Sequence, residues 1–284
     1  MFNANRIFLI IFLLFLFDVF IWSFVVFDRV GDLEIYFLNV GQGDSSLVIT
    51  PRKNKILIDG GPDNSVIKEL SSILRPTDRY IDIVVLTHPQ ADHFNGLIGV
   101  LKNYEAGIFV FNGQKGTANS YESLEKVLNE KKIKSIILGE KDKIRYSSGY
   151  FDIISPSKDL LSSAEPNDSG IVMKLIEGRA TALFTADIGK NIEKRLIEKY
   201  KENLDIDILK VAHHGSRYSS SDEFLGVATP FLSAIEVGRN NYGHPSPETI
   251  SNINFYGSRF FRTDKDGTVK IVINGENIRV FKKN

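Results

Sequence analysis

The run Ile83-Val84-Val85-Leu86, followed at once by Thr87-His88-Pro89-Gln90-Ala91-Asp92-His93-Phe94-Asn95-Gly96, constrains this chain more than any other stretch. Four apolar residues in a row read as a strand covered on both faces, which places it inside a layered fold. Pro89 ends the strand, and the loop beyond it can point His88, Asp92 and His93 into one concave space. Imidazole nitrogen with carboxylate oxygen is a ligand set for zinc, manganese or iron, whereas a calcium or magnesium site would be built from oxygens alone. The chain has only 5 His in 284 residues, and His88, His93, His213, His214 and His244 all stand at the ends of apolar runs or in loops rich in Gly and Pro. Histidines scattered over a surface would not be distributed in this way, so the pattern points to a metal site.

The amino terminus imposes a second constraint. Residues 7–27 are apolar except for Asp18 and Ser23, and a helix of about 20 such residues crosses the hydrocarbon core. Asp18 costs roughly 2.5 to 3.5 kcal/mol on insertion scales, which the surrounding Leu and Phe outweigh. Phe24-Val25-Val26-Phe27 is too bulky for a signal-peptidase site, so residues 1–28 are expected to form an uncleaved single-pass anchor. Arg6 precedes the span, while Asp28, Arg29 and Asp32 follow it. The positive-inside bias therefore expects a cytoplasmic amino terminus and an extracellular catalytic domain.

Residues 33–284 are expected to form the second domain. Strands are expected over 33–39, 46–50 and 55–58, then a helix over 65–74, the strand leading to His88, and a helix from Asn95-Gly96 to about 103. A strand at 108–111 and a helix at 120–132 follow. Short strands at 136–138, 143–146 and 150–154 are assigned to a second sheet. Further strands are expected at 171–176, 180–185 and 207–211, with an amphipathic helix at 191–200, and the tail holds strands at 260–262, 268–273 and 277–281. This alternation in two parts suits two facing sheets with helices outside. Acidic and basic residues balance at 35 each, so a polyanion would have to be held by a local patch or by the metal. The absence of Cys excludes disulfides, a thiolate zinc site and a cysteine nucleophile.

The stretch from His88 to His93 resembles the H-x-H-x-D-H signature of the metallo-β-lactamase superfamily, with Gln90 in place of the second His. Five flanking pieces narrow the resemblance to its ComEC-type branch, the hydrolase domain attached to bacterial DNA-uptake channels. These are Leu38-Asn39-Val40-Gly41-Gln42-Gly43-Asp44-Ser45, Leu57-Ile58-Asp59-Gly60-Gly61, Phe184-Thr185-Ala186-Asp187, Val211-Ala212-His213-His214-Gly215-Ser216 and Tyr242-Gly243-His244-Pro245-Ser246-Pro247-Glu248. The resemblance implies a four-layer αββα sandwich and a hydrolase in which a divalent metal, zinc or manganese, as one or two ions, activates water against a phosphodiester of DNA or RNA. It also implies that Asp187 joins Asp92 and His93 as a ligand and that Asp59 lies beside the metals, holding a ligand or water in place. Read structurally, Asp59 could equally cap the helix that begins near Asn64.

Adjacent strand residues point to opposite sides, so one of His213 and His214 is expected to coordinate. We take His213 as the ligand and His214 as a proton donor, although alternation alone leaves the choice open. His244 could coordinate, bind phosphate or hydrogen-bond the backbone, and either His214 or His244 would protonate the leaving group. The second metal position keeps only His88 and the shared Asp187, because position 90 is Gln and no His occurs between 93 and 213. A nuclease should show a groove lined by residues such as Arg217, Lys210 or Arg239. A small phosphoester hydrolase of the phosphorylcholine-esterase kind should show a closed pocket, and a non-catalytic metal-stabilised binding module no open position on its metal.

Overall fold

The computed structural model describes residues 4–26, 31–163, 165–275 and 277–283. The chain divides into two units, Met1–Gly31 and Asp32–Asn284. In the first, helix α1 (Ala4–Val26) runs unbroken, and its stretch Asn5–Trp22, with a mean hydropathy of 2.2, is long and apolar enough to cross a membrane. Residues 1–3 and 27–28 of the expected anchor, and Arg29, lie outside the described residues.

The second unit opens as a meander of β1 (Leu33–Phe37), β2 (Ser46–Ile49) and β3 (Lys55–Ile58), paired antiparallel. Helix α2 (Ser65–Ile73) returns the chain to β4 (Tyr80–Leu86), parallel to β3. Helix α3 (Ala91–Asn103) then leads to β5 (Glu105–Phe111), and α4 (Ser120–Glu130) to β6 (Lys134–Ile137), each strand parallel to the last. A second sheet holds β7 (Lys143–Arg145), β8 (Gly149–Ser155), β9 (Val172–Glu177) and β10 (Ala180–Phe184), all antiparallel. It continues through α5 (Lys190–Tyr200), β11 (Ile208–Lys210), α6 (Asp222–Ala228), β12 (Leu232–Ile235), α7 (Pro247–Phe255) and β13 (Arg259–Arg262), with parallel strands. After the short α8 (Thr263–Asp266), β14 (Val269–Asn274) and β15 (Asn277–Lys282) rejoin the first sheet beside β1. The orders are β15-β14-β1-β2-β3-β4-β5-β6 and β13-β12-β11-β10-β9-β8-β7.

Side-chain alternation distributes the apolar residues among three cores. Ile35, Phe37 and Val85 from the first sheet meet Phe151, Met173 and Phe184 from the second in a core between the sheets. Leu57, Val84 and Leu86 face outward onto Val66, Leu70, Phe94 and Leu97 of α2 and α3. Leu183, Leu209 and Ile235 do the same for Ile192, Phe224 and Ile253 of α5, α6 and α7. These layers make the αββα sandwich, and both catalytically suggestive strands, β4 and β10, are buried on both faces.

Two expectations are corrected. Strand β6 belongs to the first sheet, not the second, because the crossover through α4 brings it back parallel to β5. Helix α3 starts at Ala91, not near Asn95-Gly96, so Asp92 and His93 occupy its first turn and not a loop. Gly96 breaks nothing: a Cβ there would lie 1.8 Å from the Gly60 carbonyl oxygen, so glycine is what lets α3 close on the end of β3.

Candidate metal centre

The centre forms where strands of the two sheets end together. Asp59 directly follows β3, His88 follows β4 by two residues, Asp187 follows β10 and the two adjacent histidines follow β11. Asp59 (φ 59°), Ala186 (φ 49°), His213 (φ 50°) and His214 (φ 53°) all occupy the left-handed region, strained for residues with a side chain. The strain turns the chain sharply after β3, β10 and β11. Gly43 closes the site from the other side, since a Cβ on it would stand 2.3 Å from the Asp92 carbonyl oxygen.

Asp92, His93, Asp187 and His214 bring one ligand atom each within 4.8 Å of one another. His93 Nε2 lies 3.3 Å from Asp187 Oδ2. His214 Nε2 lies 3.4 Å from Asp187 Oδ2 and 3.4 Å from Asp92 Oδ2. None of these contacts is aligned as a hydrogen bond, and His93 Nε2, His214 Nε2 and both carboxylate oxygens of Asp187 are buried without a hydrogen-bond partner.

The other nitrogen of each ring is tied down. His93 Nδ1 donates to Asp59 Oδ2 at 2.8 Å, while Asp59 also accepts from the Thr87 backbone N–H at 2.8 Å and from the Thr87 hydroxyl at 2.7 Å. His214 Nδ1 donates to the Glu236 carbonyl at 2.9 Å. His88 Nδ1 lies 3.0 Å from Thr87 Oγ1. That hydroxyl gives its one hydrogen to Asp59, so His88 must be the donor and its Nε2 carries the lone pair. His88 Nε2 is likewise buried without a partner. Unpartnered buried lone pairs cost free energy unless something completes them. Imidazoles held at one nitrogen and free at the other, around a carboxylate with both oxygens free, suit a divalent cation.

Electrostatics agree. Burial alone would push Asp187 up, but His214, His93 and Lys210 together hold it well below the usual carboxylate range. Burial likewise opposes charge on His93 and His214, yet Asp187 with Asp59 lifts His93 well above its ordinary value. Asp187 with Asp44 lifts His214 to about 10. The acids thus demand positive charge at this point, by protons or by a metal that displaces them. His88 is the contrast: burial, then the neighbouring His93, pushes it down to about 3.

Each expected residue has a definite place. Asp92, His93 and Asp187 fall in the four-residue group, and the member from the adjacent pair is His214. His213 stays half-buried at the rim, its Nε2 3.9 Å from Asp187. Strand alternation does not govern the pair, because both residues lie in a tight left-handed turn. His88 packs beside His93 with ring centroids 4.1 Å apart, outside that group. Asp59 sits behind His93 and caps no helix; Asn64 holds the N-cap position of α2. His244 lies 5.5 Å from His213 between ring centroids, and its buried Nδ1 has no partner.

A cleft of about 820 Å³ opens over the group, lined among others by Gln90, Asn167, His213, Arg239, Tyr242 and His244. Arg239 is where a groove residue was expected. Lys210 is not: it is buried beneath the centre, ion-paired to Asp44, and donates to the Ala186 carbonyl at 3.0 Å. Asp44, whose Oδ1 lies 3.0 Å from His214 Nδ1, and the buried Glu236 also belong to the site, beyond the residues expected from the sequence. Their signals were a charge closing a Gly-rich turn and charges interrupting the apolar runs of β11 and β12.

Known proteins resemble this chain in sequence and in fold. Over 258 residues the chain is 27% identical to ComE operon protein 3 of Bacillus subtilis, covering 84% of this chain and 32% of the relative. Over 250 residues it is 26% identical to competence protein ComA of Neisseria gonorrhoeae, covering 86% and 33%. The chain therefore spans about a third of the length of these curated relatives, which are ComEC-type competence proteins. Among solved structures, Igni18, a metallo hydrolase from Ignicoccus hospitalis, aligns with a TM-score of 0.57 at 13% identity, over 85% of this chain and 100% of that one, a likeness of fold. The model of the Metallo-beta-lactamase superfamily matches residues 38–230, which takes in the ends of β3, β4, β10 and β11 where the ligand atoms gather; the chain belongs to that superfamily.

Proposed function

We propose that this chain is a membrane-anchored, metal-dependent phosphodiesterase acting on nucleic acid, with residues 1–28 as the anchor and 33–284 as the hydrolase domain. The observation that carries the reading is the set of unpartnered buried atoms on His93, Asp187 and His214 beneath an open cleft. We assign Asp92, His93, Asp187 and His214 as the residues that would hold zinc or manganese; the site's two nitrogens and two carboxylates suit either. A divalent cation there supplies Lewis acidity and lowers the pKa of water toward neutrality.

The chain's own residues do the rest. Asp59 fixes the tautomer of His93, and the Glu236 carbonyl fixes that of His214, so each presents a lone pair inward. Arg239 offers a cation to a phosphate in the cleft. Burial, then His213 and His214, holds His244 at about 4; an anion in the cleft works the other way and favours its protonated form, able to give a proton to a leaving oxygen. His213, at the rim, contacts the substrate. ComEC-type relatives named for competence support nucleic acid as the substrate. Arg6 ahead of the span supports an external catalytic domain.

The test is metal analysis of the full chain and cleavage of single- and double-stranded DNA with manganese and with zinc. Asp92→Ala should lower both metal content and cleavage; if neither moved, the assignment would be wrong.

A further inference from the structure

The strand directions put two sets of residues at opposite ends of the first sheet. Strand β1 starts where β2 and β14 end and where β3, β4, β5, β6 and β15 begin. The metal-centre residues Asp59 and His88 follow the other ends of β3 and β4. A five-residue strand such as β1 separates the two ends by roughly 17 Å. The end where β1 starts carries Arg52, Lys53, Arg75, Arg79, Lys102 and Lys132, all exposed. None of the six has a carboxylate within ion-pair distance among the described residues.

The acids at that end are mostly engaged. Asp78 pairs with Lys55 at 2.9 Å, Glu34 with Lys270 at 3.0 Å and Asp32 with Arg279 at 3.3 Å. Asp82 accepts from the Lys55 backbone N–H at 2.7 Å and from Asn54 at 3.1 Å. Glu130, at the end of α4, lies 3.9 Å from Lys126, and among the described residues Glu105 is the exposed acid left over there. In a chain with no formal net charge, this segregation makes a basic surface. It is also the end through which the chain arrives from α1: Val26 and Leu33 are seven residues apart in sequence, a reach of at most roughly 25 Å.

We infer that this end of the hydrolase domain is a docking surface for anionic phospholipid headgroups. The inference rests on the reading of α1 as a membrane span and is independent of the substrate. Anionic leaflets attract basic segments close to a span, by an amount that falls off within a Debye length. Nucleic acid suits the surface less well, because a strand held there is turned away from the cleft by the depth of the sheet. Docking by this end leaves the cleft facing away from the bilayer, open to a large substrate.

The chain has no Cys, so one introduced cysteine takes one label. Thr77→Cys, between Arg75 and Arg79, carries a fluorophore at the basic end; Thr117→Cys, beyond the far end of β5, is the control. The full chain is reconstituted in vesicles of phosphatidylcholine alone, or with about a third phosphatidylglycerol, each with a trace of headgroup spin-labelled lipid as quencher. The expected result is quenching of the Thr77 probe in the phosphatidylglycerol vesicles, with the Thr117 probe unaffected. Quenching should disappear as the Debye length falls from about 8 Å near 0.15 M salt to about 3 Å near 1 M. Charge reversal at Arg52, Arg75 and Lys132 to Glu should abolish it, each reversal weakening docking by roughly fivefold or more. Gln replacements at the same sites should act in the same direction but less, and an unchanged far-UV circular dichroism spectrum shows that either variant is folded.

Equal quenching in both vesicles, or quenching that survives the triple reversal, overturns the inference. So does an oligonucleotide that shifts the Thr77 probe where phosphatidylglycerol does not. Failure of the chain to float with either vesicle overturns the span reading on which the inference stands, without touching metal binding or cleavage.

Discussion

Asp187 and Glu193 stand near each other in sequence and are both fully buried, yet their surroundings push them in opposite directions. Asp187 faces His214, His93 and Lys210, which hold it well below the usual carboxylate range against the effect of burial. Glu193 faces backbone amides: Ser221 N–H donates to it at 2.9 Å and Ser220 N–H donates to its other oxygen. Amide dipoles do not cancel the desolvation, and burial leaves Glu193 raised. Burial of an acid is therefore not by itself a mark of function. The mark is a buried acid whose oxygens have no hydrogen-bond partner and face more positive charge than one carboxylate needs. Asp187 meets that description, while Glu193 ties α5 to the start of α6 and has its oxygens occupied.

The largest effect is expected from Asp187→Asn, which keeps the volume and removes the charge. If Asp187 is held for a cation, the variant should lose bound metal by more than the roughly 10- to 100-fold seen when only an orienting partner is removed. Metal analysis after dialysis measures it. A full equivalent retained would mean that Asp187 is buried for the same structural reason as Glu193.

Asp59→Asn should come next. Asp59 touches no other member of the four-residue group but orients His93 through Nδ1, so metal affinity should fall by roughly 10- to 100-fold with the fold retained. A loss as deep as that of Asp187→Asn would erase the distinction between holding and orienting. Smaller again should be His88→Ala, at roughly tenfold or less, the low end for a group beside the ligands. His214→Ala, tested in parallel by titration with manganese, should exceed it. Parity between the two would show that the His88 side, with Gln90 where the family signature has His, holds metal as well as the other side.

These contrasts follow the line between what was readable in the sequence and what was not. Acids and imidazoles that interrupt apolar runs at strand ends, such as Asp92, His93 and Asp187, stand out because a charge there needs a reason. The choice between His213 and His214 did not, because it turns on a left-handed backbone that replaces strand alternation. Lys210 and Asp44 are 166 residues apart, and no local pattern pairs them. The sheet that β6 joins is not legible in the sequence, because short exposed strands carry little periodicity. Glu193 was hidden for a further reason: in a helix rich in Glu and Lys, a buried Glu has the spelling of a solvated one.

The smallest effect, and the one that separates the two acids by sign, is on the pH dependence of stability. Glu193 has a raised pKa in the folded chain. Its contribution is fully present below the unfolded value, near 4.3 for glutamate, and is lost as pH rises through the folded value. Asp187, with its pKa lowered, has the opposite sign, present above the unfolded value and lost as pH falls. In Glu193→Gln the side chain cannot ionise, so the variant lacks the loss with rising pH. At acid pH the variant should be the less stable by about 1 kcal/mol, since an amide NH₂ replaces one acceptor oxygen opposite the Ser220 and Ser221 N–H groups. As pH rises, wild type should lose ground at up to about 1.4 kcal/mol per unit across the titration, so that the gap narrows or reverses. Urea unfolding of wild type and Glu193→Gln across that range reads it directly. Parallel stability curves would mean that two backbone amides compensate the charge as fully as imidazole and ammonium do, and the contrast between the two carboxylates would then lie in geometry alone.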